Sequence, residues 1–324
     1  MEFLYFIAGL RNPVLDFFFE TVTHLGEETL FLVISIIFFW CINKREGYLI
    51  LISGLFGTLI NQWLKLVFRI PRPWVIDPGF EVVGDAKLEA TGYSFPSGHT
   101  QNVTTTFAAI GVFHPGIKRK VICFSLIALV AFSRMYLGVH TPMDVGVSLA
   151  VGALIILILR RVFICDKCFS RLMPVVVITA VLLSIGFTVY AFSLAGDTTL
   201  DPTNHESGMK NACTLLGCTA GLVLVYFVDT RVTNFDTKAP WYSQIMKALI
   251  GLGVVLLIKE GLRSPLEFLC GGYVYPARAI RYFLVVAFAG GLWPMTFARF
   301  ARLSIAPLDR FGSRVASLFA RKAK

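Results

Sequence analysis

The chain has 324 residues, of which 56% are hydrophobic and only 15% charged. A soluble domain carries nearer a quarter charged residues, so this composition excludes an ordinary soluble enzyme. The net charge of +10 would suit a nucleic-acid partner, but Lys and Arg fall in short loops between apolar runs, a membrane-topology pattern that argues against nucleic acid.

Apolar runs long enough to cross a bilayer recur along the chain and predict an all-α fold, a polytopic transmembrane bundle of about nine spans. Residues 1–26 mix Phe and Leu with Glu2, Arg11, Asp16 and Glu20, and Pro13 divides them. One or two interfacial helices are expected there. The start lacks a basic leader and a small-residue cleavage site, so no cleaved signal peptide is expected. The first span covers roughly 28–43 and closes on the basic Lys44-Arg45. The second, roughly 47–68, delivers Lys65, Arg69 and Arg72 to the opposite side, where Pro71 and Pro73 end the helix. The polar loop 74–95 is too charged for lipid and is expected to cover a site. Ser97 is a good N-cap for a third span to about Val112. The fourth and fifth spans cover roughly 120–138 and 142–163. Four more follow at roughly 174–196, 209–228, 243–260 and 278–298. The tail from Arg299 places Phe311, Val315 and Leu318 at helical spacing and reads as a basic amphipathic helix on the cytoplasmic leaflet.

Loops 43–46, 114–120 and 160–172 lie on one side of this arrangement and are basic, which makes that side cytoplasmic. Lys65, Arg72, His99, Arg134 and His140 then meet at the other face, and the C-terminus is cytoplasmic. The seven cysteines fall mostly inside spans, where Cys acts as a small apolar residue. Cys165-x2-Cys168 lacks the second pair that a zinc site needs. The run Lys65-x3-Arg69-x-Pro71 recurs as Lys259-x3-Arg263-x-Pro265. Duplication, or basic anchoring of span ends, would explain it. Arg69 itself reads as an anchor.

Three stretches carry chemistry. Lys65 to Pro73 reads K-x6-R-P, Pro96 to His99 reads P-S-G-H, and Ser133 to Asp144 reads S-R-x5-H-x3-D. Each has a plain alternative. Thr141 and Asp144 match a capping box with Pro142 at the first helical position. Lys65 could snorkel to the interface. His99 could merely begin a helix, and Arg134 could pair with a buried carboxylate. Together and in this order, the stretches resemble the type 2 phosphatidic acid phosphatase superfamily, which includes the vanadium haloperoxidases. The resemblance covers roughly residues 1–165 and is similar to its bacterial undecaprenyl-diphosphate phosphatases, partly through Arg11-Asn-Pro-Val-Leu-Asp16.

That resemblance implies a lipid phosphatase core over 1–172, followed by additional transmembrane helices over 173–324 of unknown role. It implies that His140 is a nucleophile forming a phosphohistidine, oriented by Asp144, and that His99 protonates the leaving oxygen. Lys65, Arg72 and Arg134 would clamp the phosphate oxygens. Ser97 and the Gly98 N–H would add an anion site at a helix start. No metal and no cofactor are expected, because cationic side chains take the charge-neutralising role. The expected substrate is a membrane lipid phosphate: undecaprenyl diphosphate first, then phosphatidic acid-type lipids. A lipid phosphotransferase using the same phosphohistidine, or a non-catalytic lipid binding or transport protein, are the alternatives. The sequence leaves oligomeric state open.

Overall fold

Several helices begin at side-chain caps: Asn12, Asn43, Ser97, Thr141 and Asp201. The structure is a computed structural model that describes residues 1–114, 116–308 and 310. α1 (Glu2–Ala8) and α2 (Pro13–Thr23) are short helices, and Asn12 caps α2 by accepting from the Val14 and Leu15 amides. α3 (Glu28–Ile37) continues as a π turn to Ile42. Asn43 caps α4 (Lys44–Phe68), which ends at Arg69 in the left-handed region. The loop beyond it contains two single turns, α5 (Pro73–Ile76) and α6 (Ala86–Glu89). Then come α7 (Gly98–Phe113), α8 (Ile117–Tyr136) and α9 (Pro142–Ile164).

The C-terminal half is α10 (Asp166–Ser193), α11 (Pro202–Val228), α12 (Trp241–Leu256), α13 (Arg263–Leu269), α14 (Val274–Val286) and α15 (Phe297–Ala301). Among the described residues the elements are all helical. The expected amphipathic helix carrying Phe311, Val315 and Leu318 lies outside the described residues.

By helix length and composition the count falls short of the nine spans expected. Among the described residues 6 helices are long and apolar enough to cross a membrane, or 7 if the pair Pro13–Gly26 and Glu28–Ile42, bent by 52°, counts as one. The segments expected as the third and fourth spans, α7 and α8, are not among them. α7 has only 16 residues, and α8 carries four basic residues. α7 packs against α4, α8 and α9, so its surface meets protein rather than lipid. It can therefore bury Thr100, Gln101, Thr104, Thr105 and Thr106. The threonine hydroxyls bond back to carbonyls of their own helix, as Thr104 does to Thr100 at 2.6 Å. α8 opens with Lys118-Arg119-Lys120 and ends with buried Arg134.

The two halves are joined along the length of α4. At one end Lys44 Nζ lies 3.0 Å from an Asp229 carboxylate oxygen, and the Tyr48 hydroxyl donates to the other oxygen at 2.9 Å. Further along, Asn211 donates to Gln62 at 3.1 Å. At the far end Arg69 pairs with Asp197 at 3.3 Å, which agrees with an anchoring role. α11 and α14 approach closely because Gly217 lacks a side chain. A Cβ there would press on the Ala279 carbonyl oxygen.

Candidate active site

The turn between α8 and α9 sets the position of His140. Gly138 adopts φ +84°, and a Cβ there would meet a Phe80 ring carbon at 2.7 Å and an Arg11 nitrogen at 2.9 Å. Arg11 in turn donates to the Tyr136 carbonyl at 2.9 Å and the Glu81 carbonyl at 2.8 Å. The N-terminal segment and the 74–95 loop thus clamp the turn from outside. His140 follows, 2% exposed, and Thr141 then starts α9.

Asp144 occupies both positions that the sequence offered as alternatives: it caps α9 and lies beside His140. It completes the capping box: its Oδ2 accepts from the Thr141 N–H at 2.7 Å, and its own N–H donates to Thr141 Oγ1 at 3.3 Å. The same Oδ2 accepts from the Ser94 hydroxyl at 2.6 Å and lies 3.5 Å from His140 Nδ1. Capping holds the carboxylate in place, and the held carboxylate faces one imidazole nitrogen. The other nitrogen, Nε2, is 3.1 Å from Arg72 Nη1. Burial first, then Arg72, Arg134 and Lys65, push the His140 pKa well below the usual histidine value. The imidazole is held neutral, as a nucleophile must be.

Two of the cations, Arg72 and Lys65, are tethered by backbone carbonyls of the loop expected to cover the site. Arg72 donates to the Thr91, Gly92 and Val139 carbonyls at 2.8, 3.1 and 3.1 Å. Lys65 donates to the Tyr93 carbonyl. Arg134 Nη1 donates to Thr23 Oγ1 at 2.5 Å, which ties α2 to the site. These side chains are therefore oriented before any substrate arrives.

Lys65, Arg72, Gly98, His99, Arg134 and His140 all line one cavity of about 370 Å³. A Cβ on Gly98 would meet nothing within 4 Å, so that position borders open space. The Nε2 of His99 is buried with no hydrogen-bond partner among the described residues. A buried unpartnered ring nitrogen in such a cavity is fitted to a ligand atom. Ser97 and Asp144 stand behind this lining. The Ser97 hydroxyl accepts from the Thr100 N–H at 3.4 Å and the Thr100 hydroxyl at 3.0 Å. The Ser97 carbonyl accepts from the Ser148 hydroxyl at 2.8 Å, and the Ser97 N–H donates to the Asp144 carbonyl at 3.2 Å.

Sequence reasoning missed several contributors. Ser94 lies in a loop with no helical period to mark it, and Thr23 is 111 positions from the arginine it serves. It also missed the far wall of the cavity, which α11 and α14 supply through Leu215, Leu222, Val285 and Val286. Lys65 and its echo Lys259 line the same cavity, but the backbones differ. The first run ends a helix at Arg69, whereas Arg263 begins α13.

Two family profiles match the chain: one described as PAP2 superfamily over residues 46–165, the other as PAP2 superfamily phosphatase, transmembrane extension, over 213–305. The chain belongs to the PAP2 superfamily. Every predicted site residue falls inside the first match. Among similar proteins, a probable sphingosine-1-phosphate phosphatase of Dictyostelium discoideum is 29% identical over 45% of this chain and 38% of its own length. The lipid phosphate phosphatase delta of Arabidopsis thaliana is 23% identical over 78% of this chain and 63% of its own. Both matches span less than two thirds of the relative. The undecaprenyl-diphosphatase BcrC of Bacillus subtilis is 29% identical over 46% of this chain and 76% of its own. The chain is a multi-span membrane protein of this superfamily.

Proposed function

We propose that this protein hydrolyses a lipid phosphate at the extracytoplasmic face through a phosphohistidine on His140. The observation that carries this is the shared cavity, in which neutral His140, an unpartnered His99 nitrogen and three tethered cations surround one open space. Its walls turn apolar away from the cations, so a phosphate headgroup and its chain can be held together.

His140 Nε2 attacks phosphorus, and the bond to the leaving oxygen breaks. That oxygen takes a proton from His99. Asp144 accepts the Nδ1–H of the imidazolium formed. Lys65, Arg72 and Arg134 hold the equatorial oxygens, a charge-neutralising task that needs no metal here. Water, deprotonated by His99, then cleaves the phosphorus–nitrogen bond and releases phosphate. Ser97 and the Gly98 N–H, at the start of α7, add an anion site for the phosphate. Residues 1–172 form the catalytic core in this scheme, with 173–324 as further helices.

The substrate is a phosphomonoester or diphosphate of a lipid. Undecaprenyl diphosphate is supported by the Bacillus relative, whose match is confined to less than half of this chain. A lipid phosphate is supported by the Arabidopsis relative, whose match is longer.

The test is phosphate release by purified protein in detergent with EDTA. Phosphatidic acid, undecaprenyl diphosphate and a water-soluble phosphate ester are the substrates, with His140→Ala as control. Release from a lipid substrate, abolished in the variant and unaffected by the chelator, is expected. Release that needs added Mg²⁺, or that survives in the variant, would overturn the mechanism.

A further inference from the structure

The cavity holds two basic side chains that the phosphohistidine scheme does not use. Arg278 on α14 and Lys259 just beyond α12 both line it, and both come from the C-terminal extension. Arg278 Nε donates to Thr214 Oγ1 on α11 at 2.6 Å, and its guanidinium lies 5.6 Å from the Tyr282 ring centre. Among the described residues nothing accepts from its two Nη nitrogens, and no carboxylate is ion-paired with it. Glu28 lines the same cavity without forming such a pair.

The neighbouring charges each have a charged or carbonyl partner, although Arg281 Nε has none among the described residues. A second cavity of about 170 Å³ shares Arg278. Its Lys210 pairs with Glu206 at 2.8 Å, its Arg263 with Glu267 at 3.6 Å, and its Arg281 donates to the Lys259 carbonyl at 3.0 Å. Arg278 differs in that its only hydrogen bond among the described residues is to a hydroxyl, and an ionisable residue inside a membrane bundle is a functional-site hypothesis by default.

Its depth suggests what it binds. Gln62 is three residues below Lys65 on α4 and bonds to Asn211. Thr214 is three residues further along α11, which runs antiparallel to α4. At 1.5 Å per residue, Thr214 therefore lies about 9 Å below Lys65 along the helix axes. That offset is longer than one phosphoanhydride link. Below it the lining becomes apolar, with Leu51, Leu55, Leu222 and Val286.

We propose that Arg278, with Thr214 and Lys259, forms a second polar subsite for the oxygen atoms that link the scissile phosphate to its hydrocarbon chain. Ester carbonyls of a glycerolipid and hydroxyls of a sphingoid base share this acceptor chemistry. A polyprenyl diphosphate has no such oxygens beyond its phosphates. The extension thereby selects the class of lipid for the phosphatase reading on which this proposal rests.

The experiment compares kcat/KM of the full-length protein for phosphatidic acid, a sphingoid base phosphate, dodecyl phosphate and undecaprenyl diphosphate. The first two carry linker oxygens, and dodecyl phosphate carries none. In Arg278→Leu the ratio of each linker-bearing substrate to dodecyl phosphate is expected to fall by about 10–100-fold, the effect of losing a hydrogen bond to a charged group. Thr214→Val is expected to shift it in the same direction. A loss for phosphatidic acid alone identifies ester carbonyls, and a loss for the sphingoid phosphate alone identifies hydroxyls. An unchanged ratio overturns the proposal, as does a loss confined to undecaprenyl diphosphate. Arg278→Gln is the second variant if leucine unfolds the bundle. Absence of phosphate release from every substrate by the unsubstituted protein would sink the phosphatase reading itself, a distinct failure.

Discussion

At the residue scale, Asp144 joins folding to chemistry. One carboxylate oxygen takes a backbone amide, a serine hydroxyl and the approach of His140 Nδ1. Asp144→Asn keeps a capping oxygen but removes the charge that stabilises an imidazolium. It is expected to lower kcat by about 10²–10⁴, the range for acid–base assistance, with little change in KM. Ser94→Ala removes one hydrogen bond to that carboxylate and is expected to cost about tenfold. Steady-state kinetics on one lipid substrate checks both, and equal losses would show that Asp144 acts only as a cap. The pH profile follows from the cations around His140. Its folded-state pKa is depressed by burial and by Arg72, Arg134 and Lys65, so the neutral form persists below the ordinary value of about 6.5. The acid limb of kcat/KM is therefore expected below that pH, and Arg72→Gln should move it upward. A limb at or above about pH 6.5 in the unsubstituted protein would contradict this.

At the element scale, the α8–α9 turn is the part least tolerant of change. Gly138 is left-handed and crowded by Phe80 and Arg11. Gly138→Ala adds a backbone penalty of about 1–2 kcal/mol to a steric clash. It is expected to lower the melting temperature in detergent and to reduce kcat/KM, since His140 is two residues on. An unchanged melting curve would mean that the 74–95 loop yields at no cost. α7 makes the complementary point. Its threonine-rich surface is compatible with a membrane protein only because α4, α8 and α9 surround it.

At the scale of the whole molecule, orientation is the testable property. Cys165 is exposed between α9 and α10, and Cys270 follows α13 near the opposite end of the extension. Variants that retain one of these as the sole cysteine are expected to differ towards a membrane-impermeant thiol reagent applied to intact cells. Cys270 should be labelled, and Cys165 should be labelled only after lysis. The reverse pattern would place the site on the cytoplasmic face.

The sequence by itself determined the helical membrane class and named the candidate site residues. Both are written in local patterns: apolar runs of spanning length, caps such as Asn43 and Thr141, and side chains at short fixed spacings such as His140 and Asp144. Tertiary structure alone decided what covers each helix, as α4, α8 and α9 cover α7. It alone brought Ser94 to Asp144, Thr23 to Arg134, and Arg278 into the cavity of His140. The reason is physical. Hydropathy records how apolar a segment is and not what covers it, and contacts between distant positions leave no period to read along the chain.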